Sequence, residues 1–581
     1  MPNDNEGVVY TNPPQSRNEA ILESMLTGDP YEAPPQSRIE DLLIQIKEAG
    51  GTAGTAVIAN PNITGDADYV DTIQIGAIKY VVSPLRFKTM PSEEVLLTLP
   101  AYKTFYVQGF YNERDGHGGY YMIGNYRSEE VARGGLKIGT SKVLIPFDAP
   151  NGRKSNVIDV CRLGVREFNQ GEINFSSITL ENTYAEINSN IIANLNAINY
   201  GSHLKFPEGR FFFKDPINLP HQSGISGTNV PNAMWSGFLS SANSPSGTAL
   251  FFPWLTNGQY AINTDFGNIE NLVIVGDPNT YKFHIDRTKT VSAPDQVVAE
   301  TIAMDGETQI KCYGLKKSNF GYIKNVCVWN FYNGIYCTTA NIYIHSVYCR
   351  SCHFGVNVGN DTKLIGVYGW DCHTLLRVRG SITSAIQLRI DSCVNVVNVL
   401  EGSGITIMDV DGDYCTEELI KIGGNDEWHN VRFNVFIGIH GRCNALKAYD
   451  STQGESPDVR DLADTSGYGI IRVEPKATFT NNYIVIDLPG GANPFDGHEG
   501  EPTNYRTPTI IATYGNSSNT SLAGNQFEIN GGSYIRTADD VKKNFQINTV
   551  SGRVTAGRVD VARGTFFIDG ATVSTYAIAE S

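Results

Sequence analysis

Several acidic side chains crowd one stretch of the sequence, and their spacing suits general acid–base chemistry. Asp391 and Asp413 each stand two residues before a cysteine, and Asp371 stands one residue before another. Glycoside hydrolases use two carboxyl groups, about 5 Å apart when they retain configuration and about 6.5 to 9.5 Å apart when they invert it. Repulsion within so close a pair raises one pKa, as a general acid requires. The candidate catalytic residues are Asp391, Asp413, Asp371, Asp411 and Glu417.

Aromatic and cationic side chains recur beside these acids, which is typical of a sugar-binding surface. An aromatic ring can pack on the apolar side of a sugar ring. The formal net charge of the chain is −16, so an anionic glycan would need local cations. The candidate substrate-binding residues are Tyr348, Tyr368, Trp370, Tyr414, Arg350, Arg377 and Arg389. The alternative interpretation is structural, because acids of surface turns are usually solvated and stacked strands also align aromatic rings.

A cysteine repeat indicates how the chain positions these groups. Cys352, Cys372, Cys393 and Cys415 follow one another at spacings of 20, 21 and 22 residues, and alternating apolar residues follow each of them. A period of about 21 residues without helical periodicity predicts coils of a parallel β-solenoid, with the cysteines in one interior column. Adjacent coils lie about 4.8 Å apart, so the register predicts neighbouring carboxylates at Asp391 and Asp413. It also places Asp371 near the same edge, about two coils from Asp413.

The ten cysteines are predicted to be free, buried thiols. The chain is far longer than the small secreted domains in which disulfides replace a core, and it begins Met-Pro-Asn-Asp-Asn-Glu, without a charged and apolar leader. We therefore expect synthesis in the cytoplasm and no membrane insertion. The net negative charge argues against a nucleic-acid partner, since such binding depends on Lys and Arg.

A zinc site is the other interpretation of the cysteines. Cys349, Cys352 and Cys372 stand near His345 and His353 in the sequence. Structural zinc needs four converging ligands, and the interior column already accounts for Cys352 and Cys372. We expect no metal and no cofactor.

The first 50 residues contain a tandem repeat with helix signals. Residues 12–22 and 33–43 share the motif Pro-Pro-Gln-Ser-Arg, and each copy has a serine and a glutamate at capping-box spacing. Helices of about 11 residues are marginal alone, so their apolar stripes need a partner surface. They either pack as a helical hairpin or dock on a larger assembly or on sister chains.

Three segments resemble the entry to a pectate-lyase-like β-helix. They are the loop Phe-Tyr-Asn-Glu-Arg-Asp-Gly-His-Gly-Gly-Tyr-Tyr at 110–121, a helix-like segment at 183–198, and Leu-Lys-Phe-Pro-Glu-Gly-Arg-Phe-Phe-Phe at 204–213. Together they resemble the right-handed parallel β-helix of bacteriophage tailspikes, in which a short helix caps the first coil. The repeats and a following hairpin segment also resemble the attachment ends of tail fibres from phages or prophages of Firmicutes.

This resemblance implies an all-β chain with five regions. These are helical attachment repeats at 1–50, a small β-hairpin module at 51–85, a β-rich neck at 86–158, the capped parallel β-helix at 159–480 and a C-terminal β region at 481–581 that could join three chains. Two polar excursions, at 277–310 and 450–466, are predicted to be loops, the first projecting from one face.

The implied function is that of a tailspike or receptor-binding protein. It would sit in the virion tail as a homotrimer, attach to the baseplate or tail through its N-terminus, and recognise a bacterial surface polysaccharide, which it could also depolymerise by hydrolysis or elimination. Two alternatives are a non-catalytic adhesin or structural fibre and a free-standing polysaccharide lyase.

Overall fold

The structure is a computed structural model. It describes residues 72–75, 78–81, 85–101, 104–126, 135–147, 157–168, 173–199, 201–230, 247–285, 298–302, 304–305, 308–309, 311–415, 419–424, 428–443, 469–474, 476–488, 509–513, 526–531, 546–547, 553–556, 566–568 and 571–573. The predicted helical repeats at 1–50 and the predicted excursion at 450–466 lie outside the described residues. The chain divides into two compact units, one of Met1–Ser155 with Arg162–Gly164 and one of Asn156–Cys161 with Val165–Ser581.

The first unit contains a hairpin and a five-stranded sheet. The hairpin joins β1 and β2 in antiparallel pairing, and the sheet has the order β3-β4-β5-β7-β6. Helix α1 spans Glu93–Thr98, and Ser92 caps it by accepting a hydrogen bond from the Val95 amide. The strands are β1 Thr72–Ile75, β2 Ile78–Val81, β3 Leu85–Phe87, β4 Thr104–Val107, β5 Gly119–Asn125, β6 Leu136–Ile138 and β7 Lys142–Phe147.

The Gly- and Asp-rich loop between β4 and β5 is a turn fastened by one carboxylate. Asp115 accepts hydrogen bonds from the backbone amides of Phe110, Tyr111, Asn112 and His117 at 2.8 to 3.2 Å. Burial raises the pKa of Asp115, but these four donors outweigh it and the pKa is lowered overall. The loop therefore has a structural explanation.

The second unit is a parallel β-helix, as the sequence predicts. Within the described ranges its main sheet has 23 strands, all joined by parallel pairings, and the chain climbs by one coil between paired strands. The early strands are β8 Val157–Asp159, β9 His203–Lys205, β10 Gly209–Phe212, β11 Ile217–Asn218, β12 Gly224–Ser226, β13 Thr248–Phe252, β14 Tyr260–Thr264 and β15 Ile269–Gly276. The central strands are β20 Tyr313–Lys317, β21 Gly321–Trp329, β22 Asn333–Cys337, β23 Ile342–Arg350, β24 Phe354–Val358, β25 Thr362–Val378, β26 Ser384–Val399, β28 Thr406–Cys415 and β29 Ile420–Ile422.

Parallel pairing continues into the C-terminal part of the chain. The later strands of the main sheet are β31 Val435–Cys443, β32 Gly469–Val473, β34 Tyr483–Leu488, β35 Thr509–Thr513, β36 Gln526–Gly531 and β38 Arg553–Ala556. A smaller parallel sheet joins β27 Gly402–Ser403, β30 His429–Arg432 and β33 Ala477–Thr480. Three further strands, β37 Gln546–Ile547, β39 Phe566–Ile568 and β40 Ala571–Val573, form a separate sheet.

Two properties of the sequence explain the coils. Apolar residues at alternate positions point inward, so that Val347, Val367, Leu388 and Val410 stack on successive coils, all fully buried. Burial of each such side chain contributes about 1.5 to 3 kcal/mol to the free energy of folding. Cys372, Cys393 and Cys415 pair in register as predicted, and Cys352, Cys372 and Cys393 are buried free thiols.

Successive coils also share a bend at a residue in the left-handed region, directly before the buried positions of Val347, Val367, Leu388 and Val410. This kink column is Asn271, Asn325, Ser346, Gly366, Gln387, Asp409 and Gly438, with φ between 51° and 68°. Asn, Asp and Gly accept this conformation more readily than other residues, because a Cβ there approaches the following carbonyl oxygen. The kink turns the strand, so the residues after it face a different side of the coil.

Helices close the start of the β-helix, near the predicted position. Helix α2 spans Leu180–Thr183 and helix α3 spans Ala185–Ile198, and Tyr184 between them has a φ of 57°. The buried Asn188 amide donates hydrogen bonds to the carbonyls of Phe212 and Arg166 at 3.0 and 2.9 Å. The cap thus covers the unpaired edge and apolar end of the first coil.

The excursion at 277–310 is not simply a projecting loop. It contains the strands β16 Tyr281–Ile285, β17 Val298–Ile302, β18 Met304–Asp305 and β19 Thr308–Gln309, paired as two hairpins. Tyr281 and Phe283 are fully buried, with the Phe283 ring 5.6 Å from the His373 ring. The prediction was wrong here because alternating apolar residues in β16 bury one face against the coils.

Candidate functional site

Strand register defines two columns of residues on the outer face of the central coils. The first contains Tyr348, Tyr368, Arg389, Asp411 and His440, which pair in register on successive strands. The second, two positions further along each strand, contains Trp329, Arg350, Trp370, Asp391 and Asp413. We call these two columns together the acid-bearing face. Six of the predicted site residues besides Asp391 and Asp413 belong to it or adjoin it: Tyr348, Tyr368, Trp370, Arg350, Arg389 and Asp411.

An apolar layer determines where this face becomes accessible. On the earlier coils the same columns hold Phe251, Val275 and Cys327, which Phe168 and residues of 173–185 such as Ile173 cover. Trp329 is still part of this buried cluster, at 5% exposure, and Tyr348 packs against its edge. Tyr368 is 41% exposed, so the cover ends within two coils.

Arg350 lies between two tryptophans of the second column. Its guanidinium carbon is 5.4 Å from the Trp329 ring centroid and 5.6 Å from that of Trp370. A guanidinium held over aromatic faces keeps its charge and its donor edge, because the rings supply attraction without consuming N–H groups. Sequence analysis missed Trp329, although counting one coil period back from Arg350 would have found it.

Asp391 and Asp413 occupy paired positions on adjacent coils, directly after Trp370 in the same column. Parallel strands are about 4.8 Å apart, which is close to the carboxyl separation of retaining glycosidases. The Asp391 side chain is partly exposed. The side chains of Asp413 and Tyr414 lie outside the described part of the chain, and so does the whole of Glu417.

Asp411 is engaged by a neighbouring cation. The Asp411 Oδ2 atom lies 3.2 Å from Nε of Arg389 on the adjacent coil, with side-chain exposures of 28% and 71%. The ion pair leaves Asp411 and Arg389 together at the surface of adjacent coils, where both can contact a ligand.

Asp371 lies at the corner of the coil directly after the acid-bearing face. Its φ is 51°, as in Ser351 and Asn330 at the same corner of the preceding coils, and its side chain is 6% exposed. Small polar residues tolerate this conformation, which gives Asp371 a structural explanation.

Arg377 belongs to another face. It pairs in register with Asn357 and Asn398, beyond the corner at Asp371, and its guanidinium carbon lies 4.4 Å from the Phe354 ring centroid. The expectation that Arg377 lies with Arg350 and Arg389 was wrong, because the chain turns at that corner. The sequence alone does not indicate this turn, since the residues around Asp371 have no pattern that distinguishes them from the rest of the strand.

The β16–β17 hairpin borders the acid-bearing face. The Phe283 amide donates a 3.3 Å hydrogen bond to the carbonyl of Ser351, the residue after Arg350. Beneath it, the rings of Tyr332, His353 and His373 stack at centroid distances of 4.7 and 4.2 Å. Burial, then the charges of His353, Lys421 and Arg377, lower the pKa of His373 well below its ordinary value.

The cysteines and histidines do not converge on a metal. Cys349, Cys352 and Cys372 lie inside the coils, whereas His353 stacks on the outside between Tyr332 and His373. Within the ranges described above, no group of three or more His, Cys, Asp or Glu side chains could hold a metal ion. A search of the same ranges finds no helix with the length and apolar character needed to cross a membrane.

Comparisons with known proteins give distant structural matches only. No protein-family model matches the chain, and no curated protein sequence matches it. The enzymatically active domain of tailspike protein 2 from bacteriophage CBA120 is 11% identical, with a TM-score of 0.38 over 75% of this chain and 56% of its own. The catalytic domain of a GH87 alpha-1,3-glucanase is 11% identical, with a TM-score of 0.37 over 74% of each chain.

A third match is DFA-IIIase from Arthrobacter chlorophenolicus A6, which is 13% identical, with a TM-score of 0.33 over 69% of this chain and 93% of its own. The chain spans only about half of the tailspike structures it matches, 56% and 49% of their lengths. Matches at this level assign the chain to no family.

Proposed function

We propose that this protein is a tailspike-type receptor-binding protein that binds a bacterial surface polysaccharide on the acid-bearing face and cleaves it there. The observation that carries the proposal is the register of one column, in which Arg350, Trp370, Asp391 and Asp413 follow one another on consecutive coils. A stacking surface, a cation and two carboxylates thus adjoin one another along the β-helix.

The proposed chemistry is glycoside hydrolysis. Asp391 and Asp413 form the carboxyl pair, one protonating the leaving oxygen and the other acting as nucleophile or activating water. Arg350 and the Arg389–Asp411 pair bind hydroxyl or anionic groups of the glycan, and Trp370 packs on a sugar ring. Glu417 remains a predicted contributor.

The remaining parts of the proposal concern assembly. The N-terminal repeats attach the protein to a phage baseplate or tail, and three chains associate. The protein then acts at the bacterial surface, where the phage tail meets its host. The apolar stripes of the repeats support a docking role, since helices this short need a partner surface.

The full-length chain should be incubated with a panel of purified bacterial capsular and cell-wall polysaccharides. New reducing ends indicate hydrolysis, and ultraviolet absorbance of unsaturated products indicates elimination. We expect Asp391→Asn and Asp413→Asn each to lower cleavage about 10²- to 10⁴-fold while binding persists.

Glu401→Gln is the control, because Glu401 is an exposed acid outside both columns. Cleavage that survives the double Asp391→Asn, Asp413→Asn substitution would refute the carboxyl pair. Binding without any product would favour the non-catalytic adhesin, in which Arg350 and Trp370 would contact the glycan.

A further inference from the structure

Beyond the corner at Asp371, the next face of the coils carries a cluster of tyrosines and cations. Tyr260 and Tyr313 pair in register, with ring centroids 4.7 Å apart, and the Tyr336 ring stacks 6.1 Å from Tyr260. The Arg379 guanidinium carbon is 4.6 Å from the Tyr336 ring centroid, and Lys316 Nζ is 5.3 Å from that of Tyr260. We call this set, with Arg377, the tyrosine–arginine face.

The two arginines of this face repel each other. Burial and then the charge of Arg379 lower the pKa of Arg377 from its ordinary value. The Nε atoms of Arg377 and Arg379 are both buried and without a hydrogen-bond partner. In the described part of the chain, neither guanidinium has a carboxylate within ion-pair distance. Two adjacent, partly buried cations without counter-charge are costly unless an anion binds them.

Two described acids of the neighbouring strands and loops, Glu474 and Asp277, are already engaged. Glu474 lies 3.0 Å from Lys421 at the far end of the face. Asp277 accepts hydrogen bonds from the Asn279 amide and the Thr280 hydroxyl at 2.8 and 3.3 Å. A further cation, Lys311, lies 4.6 Å from the Tyr332 ring centroid. Among the described residues of this face, cations therefore outnumber acids, on a chain whose net charge is −16.

The tyrosines indicate which kind of anion fits. Burial and the neighbouring Tyr336 and Tyr313 raise the pKa of Tyr260 to about 12, so its hydroxyl remains a neutral hydrogen-bond donor and acceptor. Neutral phenols beside guanidinium groups suit a ligand that carries both hydroxyl groups and an oxyanion. Bidentate guanidinium binding favours carboxylate or phosphate.

We propose that Tyr260, Tyr313, Tyr336, Arg377 and Arg379 form a second glycan-binding surface that takes an acidic polysaccharide, with its carboxylate or phosphate groups held by the two guanidinium groups. This surface is separate from the acid-bearing face, and it rests on the proposed function only in taking a polysaccharide as ligand. It selects anionic chains and holds them, while the acid-bearing face cleaves.

The test is binding of three polymers to the full-length chain carrying Asp391→Asn and Asp413→Asn, which removes the proposed cleavage. The probes are oligogalacturonate, a glycerol-phosphate polymer and neutral dextran. We expect at least one anionic probe to bind, dextran not to bind, and raised salt to weaken binding. A preference between the anionic probes identifies carboxylate or phosphate as the ligand group.

Arg377→Gln with Arg379→Gln should weaken anionic binding at least about tenfold, the loss expected from charge-assisted hydrogen bonds. Arg432→Gln is the matched control, since Arg432 is an exposed arginine 6.0 Å from the Phe433 ring on another sheet. If the double variant does not fold, Lys311→Gln with Lys316→Gln probes the same face. Equal binding of dextran, or anionic binding unchanged in the folded variants, would overturn the proposal, whether or not the wild-type chain cleaves any glycan.

Discussion

Lys317 is a charged residue in the interior of the coils. Its side chain is fully buried, and its ammonium group donates hydrogen bonds to the backbone carbonyls of Gly267 and Asp265. Burial lowers the pKa of Lys317 to about 8, although Cys337 and Asp265 oppose the shift. The folded chain therefore gives up this proton at a lower pH than the unfolded chain does.

This difference predicts a pH dependence of stability. Between about pH 8 and pH 10.5 the unfolded state binds more protons at Lys317 than the folded state, so the contribution of Lys317 to stability rises with pH. The slope cannot exceed about 1.4 kcal/mol per pH unit. Urea unfolding of the wild type and of Lys317→Met across this range measures it by difference.

Subtracting the free energy of unfolding of Lys317→Met from that of the wild type cancels the contributions of other titrating groups. We expect the wild type to gain stability relative to Lys317→Met as the pH rises. A difference that stays constant from pH 8 to pH 10.5 would contradict the lowered pKa.

Single residues also mark where sequence analysis succeeds and where it fails. Period counting placed Asp391 beside Asp413, because each stands two residues before a cysteine and those cysteines, Cys393 and Cys415, pair in register. It misplaced Arg377, because the corner at Asp371 reorients the chain within one continuous strand, β25. Side-chain alternation predicts inward and outward positions, but not which of several outer faces a residue joins.

Among the structural elements, the kink column is the feature with the clearest sequence preference. Gly366 occupies it with a φ of 68°, and Gln387 occupies the same place on the next coil with a φ of 61°. A Cβ at Gly366 would meet only ordinary contacts, the nearest being Tyr368 Cε2 at 3.5 Å. Substitution there thus isolates backbone strain from steric clash.

We predict opposite effects of exchanging these residue types. Gly366→Ala should lower the free energy of unfolding by about 1 to 2 kcal/mol, the cost of a left-handed backbone with a Cβ. Gln387→Gly should remove that cost, although added unfolded-state entropy offsets part of the gain. Thermal unfolding measures both. A stabilising Gly366→Ala would show that the kink imposes no strain.

The hairpin β16–β17 shows a signal that sequence analysis overlooked. Tyr281, Phe283 and Ile285 alternate with polar residues, which is the pattern of a half-buried strand. The polar composition of the longer excursion hid these few residues. The packing of Phe283 on His373 could not be predicted, because that contact joins residues from separate coils.

Across the whole molecule, the β-helix was predictable and the covering of its outer face was not. The repeat period follows from residue spacing alone, since each coil contacts only its neighbours. The apolar layer formed by Phe168 and residues of 173–185 instead covers strands as distant in sequence as β21, including Trp329. No local pattern distinguishes outward residues that are covered in this way from inward ones.

The buried thiols of the coils make unfolding of the second unit measurable. Cys349, Cys352, Cys372 and Cys393 are fully buried, and burial raises the pKa of Cys349 and Cys372 well above the ordinary value. Thiol reagents react with the exposed thiolate, so labelling requires coils to open. We expect these four cysteines to stay unlabelled in native buffer at pH 8 and to react in denaturant.

Mass spectrometry of peptides from partly labelled protein gives the order of reaction. Labelling of Cys372 in native buffer at the rate of a free thiol would contradict the buried column. Simultaneous labelling of all four in denaturant would indicate that these coils open as one unit.

The constant register of the coils also has an evolutionary consequence. Duplication or loss of one whole coil, roughly a 21-residue unit, leaves every later residue on its own face and moves it by one step along the stack. Insertion of one residue within a strand instead sends each following side chain to the opposite side. We therefore expect related chains to gain or lose whole coils, and to accept insertions of any length at the turns between strands. A longer or shorter relative can then keep the same sugar-facing columns.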